Sequence, residues 1–270
     1  MPELPEVETS RRGIAPHIVG ATVSSVIIRE RRLRWPVSES VDQGLPGATV
    51  TSVGRRAKYL LINTTQGTAI IHLGMSGSVT IVDNGTPAGV HDHVDIEFDS
   101  GRSLRFRDPR RFGSLHWSTS PHEHSLIRNL GPEPLSKDFD GHYLWARSRG
   151  RRVAIKQFIM NAQIVVGVGN IYASESLFIA GIHPKRAAGR IALHRYERLS
   201  SAIKDVLERA IKAGGTTLRD FYGSDGEAGY FQQQLEVYDR ADEHCRRCNT
   251  LITAIVQGQR STYYCKHFQT

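Results

Sequence analysis

Cysteine is scarce: three in 270 residues. That excludes a disulfide framework, which small secreted domains build from many more. No apolar run approaches the ~20 residues that span a bilayer, and no charged-then-apolar leader opens the chain. A cytoplasmic protein without a membrane partner is therefore expected. Acid is missing from the tail: beyond Glu243 there is no carboxylate side chain, whereas Arg246, Arg247, Arg260 and Lys266 are basic.

Base is in excess. The net charge is +8, and a polyanion, most often nucleic acid, suits such a surface. The charge is clustered. Arg102, Arg105, Arg107, Arg110 and Arg111 fall in "GRSLRFRDPRRFG" with one acid, Asp108. Arg147, Arg149, Arg151, Arg152 and Lys156 fall in "ARSRGRRVAIK" with none. With the tail, these clusters suggest separate points of phosphate contact on one long ligand.

The first half of the chain reads as strands. Segments 48–53, 57–62, 68–73, 78–82, 93–98, 103–107 and 113–117 are short and rich in β-branched and aromatic residues, with turn residues between them. A helix over 5–14 precedes them, with Pro5 suited to a first helical position and Glu3, Glu6 and Glu8 to the positive helix end. The second half changes period: 198–212 puts Leu199, Ile203, Val206, Leu207, Ala210 and Ile211 on one helical face. Two further helical stretches are broken by "VVGVGN", an outline of the helix-turn-helix kind. The expectation is an α+β, multi-domain protein. An N-terminal β-sandwich with a helix (1–131) is followed by a turn-rich linker (132–149). A helical domain (150–234) then carries a glycine-rich loop over 216–230, and a β-ribbon (235–270) ends the chain.

Cys245, Cys248 and Cys265 have zinc-ribbon spacing. The fourth position holds Phe268, one residue beyond His267. Either His267 completes a zinc site or the ribbon stands without metal. Asn170 in "GVGNIY" is either a phosphate-gripping residue at a helix N-terminus or a plain N-cap. In "HDHVD", alternation puts His91, His93 and Asp95 on one strand face, suited to phosphate contact or solvation. Met75, in the glycine turn "HLGMSG", suits a wedge inserted into a base stack. At the N-terminus, removal of Met1 would expose Pro2 as a secondary amine. An α-amino group titrates near ~8, so part of it is neutral and nucleophilic at pH 7. Such an amine attacks an anomeric carbon to give an iminium ion, and Glu3 can move the protons. The plain alternative is a helix start with favourably placed acids.

Together these pieces resemble the bacterial formamidopyrimidine-DNA glycosylase family, almost end to end. The motifs are "MPELPEVET", "RRAKYLL", "HLGMSG", "HDHVD", "DPRRFG", "LGPEPL", "VVGVGNIYASESLF", "AGIHP", "GGTTLRDF", "GYFQQQLEVY" and "GQRSTYYC". The resemblance implies a β-sandwich, a helix-two-turns-helix domain and a zinc finger. It also implies excision of oxidised purines from damaged double-stranded DNA by a monomer. Pro2 would be the Schiff-base nucleophile, Glu3 the acid/base, Lys58 the proton-transfer residue of β-elimination, and Arg260 the phosphate-gripping residue assigned to δ-elimination. Met75, Arg110 and Phe112 would fill the gap left by the flipped base. His91, Arg110, Arg151 and Asn170 would contact DNA, and loop 216–230 would close over the everted base. "MPELPE" is like the oxidised-purine branch; the alternatives are an oxidised-pyrimidine glycosylase and a non-catalytic DNA-binding protein. Phe268 departs from the family's fourth cysteine.

Overall fold

A computed structural model of the chain describes residues 2–215 and 234–270. It divides into two compact units, Met1–Arg128 with Ile211–Gln232, and Asn129–Ala210 with Gln233–Thr270.

The first unit opens with helix α1 (Leu4–Ile18). Pro5 sits in its first turn, and the Glu6 carboxylate accepts the backbone N–H of Glu3 at 2.8 Å, part of a capping box. Pro16 lies inside the helix, where proline costs ~3 kcal/mol in an interior position. Its place in the last turn lessens that cost, and burial offsets it. Leu4, Val7, Ile14 and Ile18 are fully buried, each worth about 1.5–3 kcal/mol.

Strand β1 (Val23–Ile28) and a short helix α2 (Glu39–Gly44) follow. Then come β2 (Val50–Arg56), β3 (Tyr59–Thr64), β4 (Thr68–His72), β5 (Ser78–Asp83), β6 (Asp92–Phe98), β7 (Arg102–Arg107) and β8 (Ser114–Ser118). They form two antiparallel sheets, ordered β1-β6-β7-β5 and β2-β3-β4-β8. Val23, Val94, Ile96, Leu104 and Phe106 of one sheet share a core with Val53, Leu60, Ile62, Ile71 and Leu115 of the other, and with Val7 and Ile14 of α1. This is a sandwich with α1 packed against it. All seven expected strands are present, and the structure adds β1 and α2.

The second unit contains α3 (Gly141–Ser148), α4 (Ile155–Ile159), α5 (Asn170–Ile179), most of α6 (Leu193–Lys212), and the hairpin β9 (Thr253–Gln257)–β10 (Arg260–Tyr264). Helix α3 falls in the stretch expected as linker. Asp140 caps it by accepting the Tyr143 N–H at 2.7 Å, and Leu144 is fully buried. The stretch is therefore a packed part of this unit rather than a spacer. Its prolines, at 132 and 134, precede the helix. The buried face of α6 contains Leu199, Ile203, Val206, Leu207 and Ala210, as the period predicts. Among the described residues no helix is long and apolar enough to cross a membrane.

Candidate functional site

Pro2 and Glu3 lead into α1 and are buried. Lys58 occupies the second place of the two-residue turn joining β2 to β3, where Arg56 pairs with Tyr59. Such a turn requires positive φ to match the strand twist, and Ala57 adopts φ 55°. Arg55 donates to the Ala57 carbonyl at 2.7 Å and pairs with Glu8 of α1 at 3.3 Å, tying the base of the turn to the helix. Burial pushes the Glu8 carboxyl up, but Arg11, Arg12 and Arg55 together hold it at about 2.

His72, at the end of β4, stacks tilted on Tyr59 at 5.0 Å. Burial first, then the charges of Lys58 and Arg34, push its imidazole down to about 4. It is thus neutral at pH 7, and its Nδ1 accepts the Gly74 N–H at 3.0 Å. That bond closes the turn presenting Met75. Gly74 has φ 67°, and a Cβ there would collide with the Phe112 backbone, so the Met75 turn and the Phe112 loop are in contact. Met75 is 38% and Phe112 42% exposed, and the Arg110 guanidinium lies 5.0 Å over the Phe112 ring. The structure therefore brings Met75, Arg110 and Phe112 together as one exposed apolar-cationic tip.

What holds that tip is Asp108, which is fully buried. One carboxylate oxygen accepts the Ser76 hydroxyl at 2.8 Å and the other the Gly113 N–H at 2.7 Å. The Asp108 carbonyl lies 2.8 Å from Nε2 of buried His93, and its N–H donates to the His91 carbonyl at 3.0 Å. In the sequence Asp108 stands out only as the one acid among arginines. An acid alone among bases was the available signal.

The solvated "HDHVD" face is not found. The β6–β7 register shifts between Asp92 and Val94, which breaks the alternation. His91 is half-buried, whereas His93 and Asp95 are buried. Asp95 pairs with Arg105 at 2.8 Å and Arg29 at 2.7 Å. Burial raises its carboxyl, but bonds from Arg105 and Arg29 bring it below its ordinary value. Arg105, expected in a phosphate-contacting cluster, is instead buried in this network. Arg111 is exposed yet lies 3.1 Å from Glu30.

In the second unit Gly169 is the N-cap of α5 and Asn170 its first residue. The Asn170 side chain accepts the Lys156 ammonium at 2.7 Å and donates to the Ser261 carbonyl at 2.9 Å. Lys156 also donates to Thr262 Oγ1 at 2.7 Å and to the Ser261 carbonyl at 3.1 Å. At 1% exposure it is an internal tie rather than the phosphate contact its cluster suggested. Glu175 of α5 accepts the N–H groups of Glu236, Val237 and Tyr238 at 2.8–2.9 Å. Burial raises its carboxyl against the opposing pull of those bonds. Neither side chain signals such a role in sequence. Arg260 is exposed and follows directly on the Gly258–Gln259 turn, where both residues have positive φ. Arg151 lines a cleft of about 510 Å³ with Arg152, Arg190, Gly150, Ala187 and Gly189.

Cys245, Cys248 and Cys265 converge, with all three Sγ atoms within 4.8 Å of one another and Cys248 3.3 Å from Cys265. Zinc–sulfur bonds of ~2.3 Å in a tetrahedron set sulfurs ~3.8 Å apart, so these thiols fit three corners of a zinc site. The Phe268 N–H points at Cys265 Sγ from 3.4 Å. Hydrogen bonds at Thr250 lower the Cys248 thiol to about 7, while burial pushes the Cys265 thiol up to about 11. His267 is exposed and does not join the cluster. Met1 and loop 216–230 lie outside the described residues.

A helix-led β-sandwich with an exposed apolar-cationic tip, and a helical unit ending in a cysteine ribbon, make the build of a multidomain DNA-binding protein. Comparison with known proteins narrows this. Residues 1–115 match the formamidopyrimidine-DNA glycosylase N-terminal domain, 130–222 the H2TH domain of that family, and 242–267 the zinc finger found in FPG and IleRS. Formamidopyrimidine-DNA glycosylases of Pseudomonas paraeruginosa and Nitrosococcus oceani are each 58% identical to it, over 100% of both chains. A Lactococcus lactis FPG variant in complex with Fapy-dG containing DNA superposes with TM-score 0.92 at 32% identity, covering 99% of each chain. The same bacterium's Fpg in complex with abasic-site DNA gives 0.91. The chain belongs to the formamidopyrimidine-DNA glycosylase family.

Proposed function

We propose that this chain is a bifunctional DNA glycosylase and AP lyase of base excision repair, removing 8-oxoguanine and formamidopyrimidines from duplex DNA. The observation that carries the reading is the N-terminus: Pro2, then a buried Glu3, at the head of a helix packed on the sandwich. Relatives that hold Fapy-dG and abasic DNA support the substrate class.

Flipping a base from the stack costs a few kcal/mol. Met75, Arg110 and Phe112 would fill the gap, with apolar surface for the stack and one charge for the orphaned partner base. His91, Arg151 and Asn170 would hold the phosphates on either side. Once Met1 is removed, the Pro2 nitrogen attacks C1′ and the N-glycosidic bond breaks, its electron pair leaving with the base. Glu3 moves the proton that opens the sugar ring to an iminium ion. Loss of a C2′ proton, with Lys58 in the transfer, expels the 3′-phosphate. A second elimination, with Arg260 neutralising charge, expels the 5′-phosphate. Zinc, when bound to the cysteines, cross-links the ribbon that carries Arg260 and takes no part in bond breaking.

The test is borohydride reduction with duplex containing 8-oxoguanine. Reduction of the iminium would leave a covalent protein–DNA species, absent in Pro2→Gly. No trapped species, or trapping undiminished in Pro2→Gly, would overturn the reading. Faster trapping on oxidised pyrimidines would assign the other branch.

A further inference from the structure

A structural zinc site takes four ligands, and the described residues bring together three, Cys245, Cys248 and Cys265. None of the neighbouring side chains joins them. Phe268 stands at the fourth knuckle position. Its ring lies 5.2 Å from that of Phe178, and the Arg247 guanidinium lies 4.8 Å over Phe268 and 5.3 Å over Phe178. His244 is exposed, with Nδ1 2.8 Å from the Asn249 carbonyl, and lies outside the cluster. The Gln269 carboxamide accepts the Cys265 N–H and donates to the Ile182 carbonyl, both at 2.9 Å. His267 is exposed and outside the cluster.

The knuckles themselves are intact. Cys245 N–H donates to the Thr250 carbonyl and Asn249 N–H to the Cys245 carbonyl, both at 2.8 Å. Asn249 takes the left-handed conformation, φ 61°, that this turn needs. The Phe268 N–H still reaches Cys265 Sγ at 3.4 Å. The cysteine-to-phenylalanine change thus removes a donor without removing the frame that aims the others. Charge points the same way. Zn²⁺ on four thiolates carries −2 and on three −1, and the nearby Arg247 cation balances the second more closely.

We propose that this protein holds zinc on Cys245, Cys248 and Cys265, with the fourth coordination position open to an exchangeable ligand. Water fills it by default, and small thiols or imidazole displace it. The Phe178–Arg247–Phe268 stack supplies part of the ribbon's cohesion that a fourth thiolate would otherwise give. This inference is independent of the chemistry proposed for Pro2.

The experiment replaces zinc with Co²⁺ in the purified full chain and reads its absorption. Thiolate-to-metal charge transfer should report three sulfurs, and the ligand-field bands should move on adding imidazole or glutathione. In Phe268→Cys the charge transfer should rise by about one third and the bands should no longer respond. Losses even in the outer shell of a metal site cost about 10–100-fold in affinity. Zinc should therefore pass to a chromophoric chelator at least about tenfold faster from the natural chain than from Phe268→Cys. If that variant does not fold, the ligand response of the natural chain decides alone. A folded protein that takes up neither Zn²⁺ nor Co²⁺ overturns the proposal. So do bands indifferent to added ligand, or metal lost in His267→Ala.

Discussion

Replacing Asp108 by asparagine tests whether one buried carboxylate sets the wedge. The two oxygens of Asp108 face two donors, the Ser76 hydroxyl at 2.8 Å and the Gly113 N–H at 2.7 Å. An amide offers only one acceptor. If it keeps Ser76, its NH₂ confronts the Gly113 N–H. If it keeps Gly113, the Ser76 hydroxyl must turn round and accept, which frees it from its present role. A charge-assisted bond contributes about 1.5–3 kcal/mol, and a buried unsatisfied donor costs about 1–3 kcal/mol. We expect a loss of about 2–4 kcal/mol, felt first where the Met75 turn meets the Phe112 loop. The assay is paired: denaturant unfolding, and binding to duplexes with and without a non-cleavable abasic-site analogue. The phosphate contacts proposed at Arg151 and Asn170 lie outside this network, so affinity for undamaged DNA and its salt dependence should largely hold. Affinity for the damaged duplex should fall about thirtyfold, the equivalent of ~2 kcal/mol. Ser76→Ala removes only one of the two bonds and should give a smaller loss in the same direction. An Asp108→Asn protein with natural stability, or with equal losses on both duplexes, would refute the reasoning.

Two further outcomes follow from buried ionisable groups. Burial first, with the nearby charges of Lys58 and Arg34, holds the His72 imidazole near 4 in the folded chain against an ordinary 6.5, so the unfolded chain binds the extra proton first. Its contribution is therefore complete above pH 6.5 and lost as pH falls towards 4, by about 3 kcal/mol. Unfolding midpoints measured across that window should drop, and the drop should shrink in His72→Gln; an unchanged slope in that variant would contradict the assignment. Lys156→Met leaves the oxygens of Asn170, Ser261 and Thr262 without their shared ammonium, which should cost on the order of 3 kcal/mol. Thermal unfolding within a degree of the natural chain would show that the tie carries no weight.

The parts of this protein that its sequence discloses are those governed by short-range rules. Short runs of β-branched and aromatic residues, set off by turn residues, mark seven strands because strand propensity and turn chemistry are local. The 3.6-residue period gave the core face of α6 for the same reason. Exposure was also legible at Met75, in a glycine turn, and at Arg260, in a tail without acids. Charge clusters misled in a specific way. Arg105 and Lys156 look like their neighbours in sequence, yet Arg105 faces Asp95 from ten residues away and Lys156 faces Thr262 from more than a hundred. Local composition contains neither partner.

The same limit explains the ribbon. C-x-x-C spacing is a local rule and correctly brought three thiols together, but the fourth donor was sought by proximity in sequence, at His267. What decides that position is where the Phe268 ring goes. It goes to Phe178, on a helix some ninety residues earlier, with Arg247 over both rings. Phe178 belongs to the small core that includes Cys245 and Cys265. A bulky residue at the fourth knuckle position therefore extends an existing apolar contact, and His267 is left facing solvent. A substitution that deletes a metal ligand is tolerable at this point because the ribbon's core already reaches it.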